Sequence, residues 1–148
     1  MQNMNIQTHT QAASLLILRL FVAYEFWEAG VEKWRGQNWF ADIQQKFPFP
    51  FNLLPADLNW QLATYAELLL PIALVIGLAS RLSAIALTIL TLVAWYAVHA
   101  GLGYNIGNGG YKMAVIYLVV LTPIILQGGG AWSLDSLLKQ KFKWAKFF

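Results

Sequence analysis

Residues 61–81, from Gln61 to Arg81, form an apolar run long enough to cross a bilayer, with one carboxylate, Glu67, well inside it. A carboxylate in hydrocarbon is costly unless it is paired, hydrated or protonated. Pro71 follows four residues later and has no N–H, so the Glu67 carbonyl loses its usual helical partner. One helical turn therefore offers a carboxylate and a freed carbonyl. The other embedded polar groups are expected to gather around this point.

The rest of the chain agrees with a lipid setting. Hydrophobic residues make up 58% of the 148 residues and charged residues only 11%, against about 25% charged in ordinary soluble domains. Mean hydropathy is +0.51. The expected fold is an all-α integral membrane protein: one domain, a four-transmembrane-helix bundle with spans near 12–31, 60–80, 82–100 and 111–127. With no cysteine, disulfides, thiolate metal ligands and dithiol chemistry are excluded. The net charge of +3 is small. Its basic residues gather near the C-terminus, which suits membrane orientation and gives no nucleic-acid signal.

Residues 1–11 are polar without Lys or Arg, so a secretory signal is not expected and the first apolar segment should be a true span. Glu25, Glu28 and Glu32 follow at helical spacing and share a face, while Arg19 points elsewhere. Residues 32–59 form an aromatic loop, with a short surface helix expected over 38–46 and ended by Pro48 and Pro50. It reads as a membrane-hugging connector or as a lid. Ser80-Arg81 is expected as the turn between the second and third spans. The glycine-rich segment 101–110 matches no dinucleotide fingerprint and reads as a compact turn. From Trp132 onward a basic amphipathic tail is expected on an anionic membrane surface, with Lys139, Lys141, Lys143 and Lys146. These lysines and Arg81 place both termini in the cytoplasm, at the bacterial inner membrane.

Counting at ~1.5 Å per residue puts Glu67 roughly 10 Å below the outer end of its span and Glu25 ~9 Å below the end of the first. His99 and Lys112 fall near the outer ends of the third and fourth, and Arg19 near mid-depth. The expectation is a polar pocket in the outer half of the bilayer. Glu67 and His99 would be its chemical groups. Arg19, Glu25, Glu28, Lys112, Trp95 and Tyr96 would bind substrate, with Arg19 or Lys112 balancing charge. A quinone headgroup, exchanging protons with a carboxylate and an imidazole under aromatic rings, fits this set. Glu25, Glu28, Glu67 and His99 also offer an oxygen-rich ligand set for iron or manganese, but the Glu-x-x-His signature of di-iron bundles is absent, and no metal is assigned.

Several segments resemble one family. Leu18-Arg19-Leu20 and Gly30-Val31-Glu32-Lys33, then Glu67, Gly77 and Ser80-Arg81, then His99, then Gly128-Gly129-Gly130-Ala131-Trp132-Ser133-Leu134-Asp135 are similar in order and spacing to the motifs of DoxX proteins, small four-helix bacterial membrane proteins. The resemblance implies Arg19, Lys33, Glu67, Arg81 and His99 as positions to test. Because the family is functionally mixed, it implies no catalytic residue. Its namesake is a subunit linked to quinone-coupled sulfur oxidation, which favours an oxidoreductase subunit working with a protein partner. A metal or small-solute binding module and an assembly scaffold are the alternatives.

Overall fold

The computed structural model describes the backbone of residues 2–141 and the side chains of residues 7–139. Four long helices account for most of it: α1 (Gln2–Arg35), α3 (Ala56–Ile76), α4 (Ser80–Ala94) and α5 (Lys112–Gln127). A short α2 (Phe40–Ile43) lies in the loop after α1, and α6 (Leu134–Lys141) follows the fourth long helix. There is no strand among the described residues. The long helices alternate in direction and close a ring in which α1 packs on α3, α3 on α4, α4 on α5 and α5 back on α1. One end of the bundle carries α6 and the α3–α4 turn. The other carries the loops 36–55 and 100–111.

The main core sits toward the α6 end. Val22 and Phe26 from α1, Leu74 from α3, Leu87 from α4, and Leu121 and Ile124 from α5 are buried there together. A second, aromatic cluster of Phe40, Phe47 and Ala97 closes the loop end, with Trp60 and Phe51 against it. The outward faces are apolar too, with Leu69, Ile72, Leu82, Ile85 and Val119 exposed. A water-soluble monomer rarely exposes so many large apolar side chains. Ala56–Ile76 and Ser80–His99 are long and apolar enough to cross a membrane, and α5 is apolar but shorter.

Several boundaries depart from the sequence-based expectation. Helix α1 does not start at residue 12 or stop at 31: it runs on through the polar N-terminal segment and out to Arg35. Helix α3 runs through Pro71, as expected, but starts earlier and ends earlier than the 60–80 span, at Ala56 and Ile76. The turn after α3 falls at residues 77–79, so Ser80 and Arg81 belong to the first turn of α4. Helix α4 passes into one π-helical turn, Trp95–His99. The expected helix over 38–46 is α2 plus a 3-10 turn, Gln44–Lys46.

The α6 end carries a clasp at the start of the expected amphipathic tail, in the segment from Trp132 to Asp135. Gly77 ends α3 in the left-handed region (φ 72°), and Leu78 N–H returns to the Ala73 carbonyl at 2.8 Å. Arg19, fully buried, donates from Nη1 to the Leu74 carbonyl (3.3 Å) and from Nη2 to the Trp132 carbonyl (2.7 Å). Asp135 accepts from the N–H groups of Ala79 (2.7 Å) and Ser80 (2.8 Å). A cation thus meets the carbonyl end of α3 and an anion meets the amide end of α4, each matching the local helix dipole. Ala79 adopts φ 48°, unusual for a residue with a Cβ, and the carboxylate bound to its N–H secures it there. Residues 142–148, including Lys143 and Lys146, lie outside the described residues.

Candidate functional site

Glu67 is buried, on the face of α3 that meets α1. Gly30 makes the approach close. A Cβ there would stand 2.9 Å from the Glu67 carbonyl carbon and 3.0 Å from its oxygen. The carbonyl freed by Pro71 therefore lies against the glycine of the neighbouring helix. Lys33 is three residues on from Gly30 and shares its face. Its ammonium donates to Glu67 Oε1 at 3.0 Å and lies 2.9 Å from Oε2. The lysine is partly buried (17% exposed) and the carboxylate nearly fully (5%). One ammonium thus faces both carboxylate oxygens.

The pair borders a cavity of about 490 Å³ between α3, α4 and the loop 36–55. Its walls are mainly apolar, from Ala63, Ala66, Ala86, Leu90 and Val93, and its cover is Trp39, Phe40, Phe47 and Phe51. The cover rings interlock: Phe40 packs 5.0 Å from both Phe47 and Trp60, edge-on to the latter. Two amides pin this loop. Gln44 Nε2 donates to the Leu54 carbonyl (2.5 Å), and the buried Asn59 Nδ2 donates to the Phe51 carbonyl (2.8 Å). The loop packs on the bundle and covers the cavity with Trp39, Phe40, Phe47 and Phe51. Gln44→Ala should loosen the roof alone. Amide hydrogen exchange over residues 44–54 should quicken at least tenfold while α4 and α5 stay protected; an unchanged pattern would show that the aromatic cluster suffices.

His99 lines the same cavity at the loop end. Its Nδ1 is 2.6 Å from the Gly109 carbonyl. A carbonyl only accepts, so Nδ1 carries the hydrogen and a neutral ring keeps Nε2 as an acceptor. Glu67 lies nine residues before the end of α3 and Ile89 nine after the start of α4, so the antiparallel pair sets them at similar height. His99 is ten residues further, roughly 15 Å along the axis. The cavity is therefore elongated, with an ion pair deep inside and an imidazole at the rim.

The other expected binding residues lie elsewhere. Arg19 is in the clasp at the opposite end and does not balance Glu67; Lys33 does. Glu25 accepts a hydrogen bond from Tyr117 on α5 at 2.8 Å. Glu28 is exposed. Lys112 lies 5.8 Å from the ring centre of Tyr104. Trp95 stacks on Tyr111 at 4.7 Å, and Tyr96 is exposed. None of these six lines the cavity. Nor do Glu25, Glu28, Glu67 and His99 converge: no group of three His, Asp or Glu among the described residues is placed to hold a metal ion. Gly30, Gln44 and Asn59 carry no charge to draw notice, and only the glycine within a helix could have marked a close helix contact.

Comparison with known proteins gives a family and no activity. The family model described as DoxX matches residues 14–100. An uncharacterized protein of Haemophilus influenzae is 52% identical over 150 residues, covering 99% of each chain. No solved structure matches.

Proposed function

We propose a function from one premise: the chain belongs to the DoxX family of small membrane proteins. In this reading all four long helices span the bacterial inner membrane. The clasp and the lysines beyond it face the cytoplasm, and the roofed cavity faces outward. The chain is the quinone-handling subunit of a membrane oxidoreductase. The cavity holds a quinone headgroup against the Lys33–Glu67 pair. As a quinol is oxidised, its two electrons pass to a partner protein, and its two hydroxyl protons leave in turn through Glu67, which hands the first on toward His99 before taking the second. Lys33 offsets charge at the carboxylate, and His99 receives protons at the rim through Nε2.

The observation that carries this reading is the buried Lys33–Glu67 ion pair bordering a cavity with apolar walls. Ligand pockets are mostly apolar, with a few placed polar or charged groups that orient the ligand. A flat apolar ring with oxygens at its ends matches such a lining. The cavity also falls within the roughly 300–1,000 Å³ of ordinary ligand pockets. Purification in mild detergent, followed by native mass spectrometry and elemental analysis of one sample, tests the reading. Quinone is expected with the wild type, and Glu67→Gln is expected to weaken its binding at least tenfold. Wild-type protein that neither carries nor binds quinone overturns the reading, and stoichiometric metal lost in Glu67→Gln would replace it with a metal module.

A further inference from the structure

The cavity is partly open. Leu62 on α3 and Ile89 on α4 both line it, and each is 49% exposed. These two side chains stand where the cavity meets its surroundings. Beside them stand Ala66 and Ala86, one from each helix and both part-buried. Alanines leave a gap that larger side chains would fill. Helices α3 and α4 are consecutive and tightly linked at one end, by the turn at residues 77–79. The cavity's other boundaries are firmer. The Lys33–Glu67 pair bars the α1 side, and buried Phe40 and Phe47 cover the loop end. A volume of about 490 Å³ takes a ring with its substituents, but a long hydrocarbon tail must project from it.

From these features we infer that the cavity is filled from the side. A bilayer-dissolved amphiphile passes headfirst between α3 and α4. Its tail stays in the gap bounded by Leu62, Ala66, Ala86 and Ile89, in contact with lipid. The inference rests on the quinone reading and adds the tail as a recognised part of the ligand. The roof then serves to keep water out and need not open to admit the ligand.

Binding in lipid nanodiscs tests this with two probes, decylubiquinone and the tail-less 2,3-dimethoxy-5-methyl-1,4-benzoquinone, with concentrations expressed per lipid. Wild-type protein is expected to bind both. In Ala66→Phe the affinity for the decyl compound should fall at least tenfold while that for the bare ring changes less than twofold. Leu62→Ala, a smaller residue on an exposed face and so no threat to folding, should speed association of both probes severalfold, because both heads pass through the same gap. Unchanged association of both probes in Leu62→Ala, or equal losses of affinity for the two in Ala66→Phe, overturn the side opening while the quinone reading stands. If wild-type protein binds neither probe, the quinone reading falls and the side opening with it.

Discussion

Gly77→Ala is expected to destabilise the protein by about 2–5 kcal/mol, combining a left-handed backbone with an overpacked contact. The added Cβ would stand 2.2 Å from Arg19 Nη1, and 2.5 and 2.8 Å from Ser133 Cβ and Cα. The guanidinium can swing aside only by giving up the Leu74 or Trp132 carbonyl. The Ser133 backbone is held in turn, because Asp135 N–H donates to the Gly77 carbonyl at 2.9 Å. Gly101 provides the control. It also has positive φ, 86°, but a Cβ there meets nothing within 4 Å. Gly101→Ala should therefore show only the backbone cost, about 1–2 kcal/mol. Thermal melts in one detergent compare the two. Equal losses would mean that Arg19 and Ser133 do not crowd Gly77.

Lys33→Met should be as damaging for a different reason. It leaves Glu67 buried without a counter-charge, which costs about 3–5 kcal/mol when one partner of a buried pair is removed. The double variant Lys33→Met, Glu67→Leu removes both charges and should melt within about 1–2 kcal/mol of the wild type, since buried pairs contribute little net stability over apolar replacements. Neither variant should bind quinone. That pair of results would assign the pair a role other than stability. A single variant as stable as the wild type would show that water reaches Glu67 freely.

The two polar centres differ in how far the sequence reveals them. Glu67 is legible because hydropathy is a property of each position, and one carboxylate in an apolar run stands out whatever surrounds it. Lys33 is harder to assign, because a span ending at residue 31 makes it an interfacial charge. In the structure α1 stays helical to Arg35 and carries Lys33 alongside Glu67. Arg19 is misplaced by the same kind of error at the other end. Depth counted from residue 12 puts it mid-membrane, whereas its partners are the last turn of α3 and the segment before α6. The rest is a matter of azimuth. Glu25 and Lys33 are eight residues apart, about 80° around the helix, and that rotation aims one at Tyr117 and the other at Glu67. Depth brings such groups to one level without saying which neighbour each will face. The helices themselves were legible, since apolar length survives an error of a few residues at either end.

Asp135 comes late in the chain, yet it holds the turn between α3 and α4, made some 55 residues earlier. While the protein is being synthesised, Arg19 has no Trp132 carbonyl, and the amides of Ala79 and Ser80 have no carboxylate. The nascent bundle therefore carries its most awkward charge without its full set of partners until residues 132–135 have left the ribosome and reached the α3–α4 turn. Assembly is closed from the C-terminal side, and a partly made chain remains distinguishable from a finished one to whatever surveys the membrane for unpaired polar groups.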